Sequence, residues 1–307
     1  MAQVAVEPLA PADSADVRPA PLPGRRRRRI PLTLYLVAAP VAAAILCALF
    51  APWLAPTDPI RGNLSERLRP PAWMAQGTAA HLLGTDHLGR DVLSRIVYGA
   101  RVSLVVGLVS ALVGASVGLT LGMLAGYLRG RTDAVIAKVV DIQLAFPFLL
   151  FAITVIAVLG PSLRNLLVIL AISGWVTYAR VVRAQTLSLR EKEFIESARS
   201  IGCPPAWILL RHVLPNVASS MLVLMTIEIG RLIVLESTLS FLGLGVQPPT
   251  PSWGMALADG KEYLVTAWWL ATLPGLALLT IVLCMNVLGD GVRDLLAPRS
   301  AGAAGRS

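Results

Sequence analysis

The sequence has 307 residues, of which 55% are hydrophobic and only 15% are charged. Soluble domains usually carry about 25% charged residues, so this composition excludes an ordinary water-soluble globular protein. The net charge of +9 would suit a nucleic-acid-binding protein. We predict no nucleic-acid partner, because membrane proteins carry a similar excess of Lys and Arg in their cytoplasmic loops.

Six apolar runs predict an all-α, polytopic membrane protein with six transmembrane helices. A helix needs roughly 20 residues to cross a hydrocarbon core of about 30 Å. The fourth run reaches that length only if its helix continues through Arg180 and Arg183, whose charged ends extend to the interface. The alternative is five spans plus a buried helix. The predicted spans are 32–54, 102–128, 135–159, 163–183, 217–244 and 267–289.

The chain before the first span is rich in Ala, Pro and Asp and contains the basic run Arg25–Arg29. We predict a disordered cytoplasmic tail over residues 1–29, whose basic run keeps the N-terminus inside. Binding of RNA or anionic lipid is the alternative role for this run. With the N-terminus inside, 18 of the 27 Lys and Arg residues are cytoplasmic and eight are on the outer side. The predicted transmembrane domain covers 30–298, followed by a cytoplasmic tail over 299–307.

Residues 55–99 form a polar segment between the first two spans. The segment ends in apolar residues at helical spacing with polar residues between them, which predicts an outer-side amphipathic helix lying along the membrane surface. The apolar positions are Val92, Leu93, Ile96 and Val97.

The cysteines and the outer histidines do not form a metal-binding or disulfide pattern. Cys47 and Cys284 fall in predicted spans and Cys203 in an inside loop, while His81 and His87 have no third ligand nearby in sequence. We therefore predict neither a disulfide nor a metal site.

The inside loop over residues 184–215 predicts a compact protrusion from the membrane. Its first half has the charged and apolar pattern of an amphipathic helix. Gly202 ends this helix, and the pair Pro204–Pro205 starts the chain in a new direction. A second short helix over 206–213 then precedes the fifth span, which opens at Pro215. Such a protrusion can enter a groove on a soluble partner.

This loop resembles the EAA loop of binding-protein-dependent ABC importer permeases, in which Glu-Ala-Ala precedes a Gly and a later Leu-Pro pair. Ser197 replaces the first Ala of the pattern. His212 stands where the broad family favours Ile and where the peptide branch commonly has His. The matching residues are Glu196, Ala198, Gly202, Leu214 and Pro215.

Two further segments, 84–101 and 239–254, resemble dipeptide and oligopeptide permeases of the C type. The resemblance covers roughly residues 30–298. It implies a MetI-like ABC permease fold in the bacterial cytoplasmic (inner) membrane, with both termini cytoplasmic.

The resemblance also implies the partners of the chain. The first helix of the loop would dock into a cleft of an ATPase subunit, and the loop, His212 included, would couple ATP binding to movement of the spans. The implied partners are a homologous second permease, two ATP-binding subunits, an extracytoplasmic solute-binding protein and membrane lipids. The chain contains no G-x-x-x-x-G-K-[ST] phosphate cradle. We therefore predict a subunit that is not an enzyme and binds no cofactor directly, with ATP and Mg on the partner ATPases.

The resemblance implies import of dipeptides or oligopeptides, although related C-type permeases carry glutathione, nickel chelates and glycosides. Two other classes compete with this interpretation. A secondary transporter or channel would work without ATPases and would need no docking loop. A membrane-embedded enzyme would need paired catalytic groups, and the sequence contains no such signature.

Charged residues inside the predicted spans are candidate functional positions, because charges are costly in a membrane. Glu228 and Arg231 lie three residues apart on one helix and form a predicted intramembrane charge pair. Glu236 either lines the path, where it would meet a peptide amine, or packs against the partner permease.

The outer end of the fifth span and the proline-rich loop after it form a candidate path or outer gate. A landing surface for the binding protein and a passive turn are the alternatives for this loop. The candidate path and gate residues are Glu236, Ser240, Phe241, Pro249 and Trp253.

Overall fold

The computed structural model describes residues 32–296, and these residues form an all-α bundle without strands. Both predicted tails, 1–29 with the Arg25–Arg29 run and 299–307, lie outside the described residues. The helices, in chain order, are α1 Leu32–Leu49, α2 Ala51–Leu54, α3 Val92–Leu128, α4 Gly130–Ala145, α5 Phe148–Leu159, α6 Leu163–Arg190, α7 Glu193–Ser200, α8 Pro205–Ile208, α9 Leu214–Phe241, α10 Trp253–Gly260 and α11 Trp269–Leu296.

Four helical segments are long and apolar enough to cross a membrane individually: α3, α6, the stretch Pro205–Phe241, and α11 over Trp269–Leu295. The bent pair α4 and α5 makes a fifth if it is counted as one span, and Leu34–Leu49 is a shorter apolar helix. Every predicted run is therefore helical, and α6 does continue through Arg180 and Arg183. The total of six spans stays a prediction.

The third predicted span, 135–159, is not one continuous helix, and its crossing of the membrane stays a prediction. The axes of α4 and α5 meet at 87°, because Phe146 takes an extended backbone conformation directly before Pro147. The proline ring disfavours a helical conformation in the residue that precedes it. A side chain of α4 supports the bend: Gln143 donates to the Ile172 carbonyl at 2.6 Å and accepts from Trp175 Nε1 at 2.7 Å.

The prediction of a separate surface helix before the second span is wrong. The helix begins at Val92, with the Asp91 carboxylate accepting from Ser94 N–H at 2.7 Å. It then continues without a break to Leu128, because no proline or turn sequence interrupts it. Val92 and Val97 are buried inside the protein, whereas a helix on the membrane surface would expose them to lipid.

Glycines on α3 set the distance between α3 and α6. A Cβ at Gly118 would lie 2.5 Å from the Trp175 carbonyl oxygen, and one at Gly122 would lie 2.7 Å from that of Ala179. The backbones of the two helices therefore approach more closely than any side chain would allow, as small residues permit in membrane bundles.

We predict that Gly118→Ala destabilises the protein by about 1–3 kcal/mol, because the new methyl group overpacks the α3–α6 contact. Gly174→Ala is the matched control, since a Cβ at this α6 glycine would have only the Tyr178 ring at 3.9 Å nearby. Thermal unfolding of the purified protein in detergent measures both variants. Equal stability of the two variants would contradict the close packing.

Candidate functional site: coupling loop, buried carboxylate and outer ion network

The inside loop folds as a helix, a glycine break and a second helix. α7 ends in a C-terminal cap in which Cys203 N–H donates to the Ala198 carbonyl at 3.1 Å and Gly202 N–H donates to that of Arg199 at 3.0 Å. Gly202 has φ +82°, a left-handed conformation that glycine adopts without strain. The structure thus places the bend at Gly202, where the sequence predicted it.

The second half of the loop differs from the prediction of a short helix separated from the fifth span. From Pro205 the helix runs through a π-helical turn at Leu209–Val213 and directly into α9. Leu214 and Pro215 form the first turn of α9. Pro215 has no N–H to donate, and the wide turn before it accommodates that loss without ending the helix. The loop and the span are therefore one helical segment.

The loop has one face fixed to the bundle and one face exposed. Ile195, Ala198 and Val213 are buried in a cluster with Tyr178 and other side chains of the bundle. The exposed face carries a charged residue and several large apolar residues. These exposed residues are Phe194, Glu196, Ile201, Trp207 and Leu210.

His212 lies between two aromatic rings that the sequence analysis did not single out. Its ring centroid is 5.8 Å from that of Phe194 in α7 and 4.9 Å from that of Trp207 in α8. These contacts connect the two halves of the loop across the bend. Glu196 is exposed and makes no ion pair with any residue that the structure describes.

Glu228 and Arg231 form an ion pair within α9, which corresponds to the fifth predicted span. Arg231 Nε donates to Glu228 Oε2 at 2.8 Å, and Arg231 Nη2 lies 2.7 Å from the same oxygen. The Glu228 side chain is 6% exposed, whereas that of Arg231 is 40% exposed. Glu228 is therefore buried in the bundle, whereas part of the Arg231 side chain is accessible.

Neither role proposed for Glu236 agrees with its position, because this side chain is 0% exposed and lies inside the chain itself. Its carboxylate accepts hydrogen bonds from three hydroxyls: Ser103 at 3.0 Å, Ser237 at 3.3 Å and Ser240 at 2.7 Å. Ser240 Oγ in turn accepts from Val246 N–H at 3.2 Å. Glu236 thus joins α3, the end of α9 and the outer loop.

The other predicted path residues do not share one surface. Trp253 is buried, and its indole N–H donates to the Ile96 carbonyl at 2.9 Å. Phe241 is half-exposed with the Lys261 ammonium 5.3 Å from its ring centre, and Pro249 is exposed. Ser240 and Trp253, like Glu236, hold the outer loop in place instead of lining an opening.

A buried ion network fixes the outer segment, and the sequence analysis missed it. Asp86 accepts from Arg95 and, at 2.6 Å, from Arg90 Nε. Asp259 of α10 accepts from Arg90 at 3.2 Å and from Arg95 at 2.8 Å. Arg95 and Asp259 are 164 residues apart in the chain, so only the fold reveals the network.

Asp86 and Asp259 come close to His87, and the three could offer ligand atoms within 4.8 Å of one another. Both carboxylates already accept from arginines, and the His87 ring stacks on Tyr263 at 5.7 Å. The guanidinium groups of Arg90 and Arg95 beside the carboxylates disfavour a cation there. We therefore still predict that no metal binds at this position.

The network lowers the pKa of Asp86. Burial alone raises this pKa, but Arg95, Arg90 and the backbone N–H groups of Arg90 and Leu88 outweigh burial and hold it below 3.8. The ionised Asp86 carboxylate therefore stabilises the folded protein fully above about pH 4, and this stabilisation is lost as the pH falls through the lowered pKa of Asp86.

We predict that Asp86→Asn destabilises the protein by about 3 kcal/mol at pH 7, because two buried guanidinium groups lose a partner. The difference from the unmodified protein should shrink as the pH falls below about 4 toward the lowered pKa of Asp86. Thermal unfolding between pH 7 and pH 3 measures this. Asp58→Asn is the control, because the Asp58 side chain is 48% exposed. A pH-independent difference would contradict the role of the Asp86 charge.

Comparison with known proteins agrees with this architecture. The profile of the family "Binding-protein-dependent transport system inner membrane component" matches residues 118–302. The di/tripeptide transport permease DppC of Pseudomonas aeruginosa is 43% identical over 260 residues, which are 85% of this chain and 86% of that protein. The dipeptide permease DppC of Escherichia coli K12 is 44% identical over 259 residues, 84% and 86% of the two chains.

A relative with a different substrate name is equally similar. The glutathione transport permease GsiD of Escherichia coli is 43% identical over 277 residues, which are 90% of this chain and 89% of that protein. Among solved structures, an inward-facing MetNI methionine ABC transporter matches with a TM-score of 0.55 at 20% identity, covering 67% of this chain and 98% of that chain. This structural match concerns the fold alone.

The chain belongs to the family of binding-protein-dependent transport system inner membrane components. It is a multi-pass inner-membrane permease subunit of an ABC importer, and the predicted MetI-like fold is confirmed. The competing interpretations, a secondary transporter and a membrane-embedded enzyme, do not fit this family.

Proposed function

We propose that this chain forms half of the translocation path of an importer for short peptides, opposite a homologous second permease. Two ATP-binding subunits, which carry ATP and Mg, drive it from the cytoplasmic side, and an extracytoplasmic solute-binding protein delivers the peptide outside. The observation that carries the proposal is the loop formed by α7, Gly202 and α8. This loop has an exposed face, and its second helix runs directly into α9. Both properties suit an element that docks onto a partner.

The exposed face of the loop has the composition of a binding surface. Trp207 is 45%, Leu210 63% and Ile201 80% exposed. Large apolar side chains beside a charged residue are typical of a surface that a partner covers. The lipid bilayer is a poor partner for a face that also presents Glu196, so we propose a cleft on a soluble ATP-binding subunit. Such docking matches the way amphipathic helices enter grooves.

The docking face also supports the proposed topology. If the loop meets an ATP-binding subunit, it lies in the cytoplasm, and the predicted spans then place both termini there. The distribution of 18 of 27 cations on that side agrees with the proposal. The ion network of Asp86, Arg95 and Asp259 then lies on the outer side, where the solute-binding protein would dock.

The names of the relatives support short peptides as the substrate class. Those relatives transport dipeptides, di- and tripeptides, or glutathione, and glutathione is itself a tripeptide. Sequence identity does not separate them, because the di/tripeptide and glutathione relatives are both 43% identical to this chain. The feature common to these solutes is a short peptide with free carboxylates.

We predict that Gly202→Leu abolishes both peptide uptake and the stimulated ATP hydrolysis of the complete complex, because a side chain at φ +82° strains the bend of the docking loop. Glu196→Lys should act in the same direction by reversing the exposed charge. Uptake and ATP hydrolysis in proteoliposomes measure both effects, and membrane insertion should stay intact.

Gly130→Leu is the matched control for the Gly202 variant. Gly130 has φ +58°, and a Cβ there would meet nothing within 4 Å, as at Gly202. The backbone strain is therefore similar, but Gly130 is the first residue of α4 and does not belong to the segment formed by α7, Gly202 and α8. Unchanged uptake in both loop variants, or equal loss in the control, would remove the coupling argument. Transport by the chain alone without ATP would contradict the whole proposal.

A further inference from the structure

A cavity of about 620 Å³ opens beside the bend between α4 and α5. Phe146 and Phe148 contribute to its largely apolar wall. The volume lies within the roughly 300–1,000 Å³ that is usual for small-molecule sites. Among the described residues that line it, Arg231 of α9 is the only one with a charge.

Part of the Arg231 side chain is open to this cavity, although its Nη2 atom is buried. Both of its contacts to Glu228 go to the single oxygen Oε2, and the side chain remains 40% exposed after pairing. A guanidinium has five N–H donors, so most of them are not used by Glu228. An exposed guanidinium near the middle of the predicted span 217–244 is costly against acyl chains. The cavity therefore faces water, a solute or protein.

The wall of the cavity contains a second hydrogen-bond donor, Ser173. Its buried hydroxyl has no hydrogen-bond partner among the residues that the structure describes. The neighbouring Gln143 amide is already used, because it donates to the Ile172 carbonyl and accepts from the Trp175 indole. A cation and an unpartnered hydroxyl in an apolar cavity together suit an anion with an attached apolar body.

We propose that this cavity is a subsite of the translocation path that receives the carboxylate of the transported peptide, with Arg231 as the main donor and Ser173 as the second. The aromatic wall at Phe146 and Phe148 takes apolar side chains of the peptide. Glu228 orients the guanidinium and offsets its charge, which keeps binding weak enough for release, as conduction requires. The inference rests on the proposed function, since it assumes a path for short peptides.

The test uses the complete complex, with its solute-binding protein, in proteoliposomes and alanyl-alanine as the probe. We expect Arg231→Gln to lower uptake per ATP hydrolysed by at least about tenfold, since a charge-assisted hydrogen bond is lost. Arg231→Lys should recover part of the uptake, and Ser173→Ala should show a smaller loss. Arg164→Gln is the control, because it removes an exposed cation that does not line the cavity.

Two further measurements separate carboxylate binding from a structural role of Arg231. The double variant Glu228→Gln with Arg231→Gln leaves no buried charge without a partner, yet it should stay as defective as Arg231→Gln alone. The preference of the unmodified complex for alanyl-alanine over its C-terminal amide should shrink in Arg231→Gln. A purely structural contact would not change that preference.

Three results would overturn the inference. Recovery of uptake in the double variant would show that Arg231 only balances the charge of Glu228 and binds no carboxylate. Unchanged uptake in Arg231→Gln would show that no carboxylate binds there. Loss of the second permease from purified Arg231→Gln would make the cavity a subunit interface. If the unmodified complex imports no alanyl-alanine in the first place, the proposed peptide function fails, and the subsite fails with it.

Discussion

The unbroken helical segment from Pro205 to Phe241 is the constraint on which the rest of the structure depends. A break at membrane depth would leave backbone N–H and C=O groups without partners, which lipid cannot supply. The segment therefore extends as one element from the bend at Gly202 to the loop that follows Phe241. Its inner end is fixed by the contacts of His212 with Phe194 and Trp207. Its outer end is fixed by the hydrogen bonds of Glu236.

α3 provides the frame against which this segment is held. Its glycines bring α6 into backbone contact, and Ser103 supplies one of the hydroxyls that bond Glu236. At the outer end of α3, Arg95 reaches Asp259 of α10. The buried polar groups of the outer half thus connect elements that are far apart in sequence. This arrangement makes the outer loop a fixed part of the bundle, which explains why Glu236 does not line an opening.

The sequence predicted the local features that depend on neighbouring residues. The bend at Gly202 follows from glycine at a helix end, and the charge pair of Glu228 with Arg231 follows from their spacing. The bend before Pro147 has the same kind of local signal, but the hydropathy of the run 135–159 obscured it. In each of these cases the cause lies within a few residues of the effect.

The features that could not be predicted depend on distant residues or on the continuity of a helix. Glu236 looked like a path residue because its partner Ser103 lies 133 positions earlier in the chain. Hydropathy located the apolar part of α3 but not its start, since residues 92–101 mix apolar with polar side chains in the pattern of a separate surface helix. The π-helical turn before Pro215 has no clear sequence signal, so the sequence predicts that the span starts at this proline, although the helix passes through it.

We propose that the loop formed by α7, Gly202 and α8 moves as one body with the spanning part of α9, so that a movement imposed on the loop reaches the opposite end of the protein. Spin labels at Leu210→Cys and Val234→Cys test it most directly, by pulsed electron paramagnetic resonance on the complete complex with and without ATP. A rise of 1.5 Å per residue over this stretch predicts a separation of about 36 Å in both states. A separation that shifts by several ångströms when ATP binds would contradict the claim.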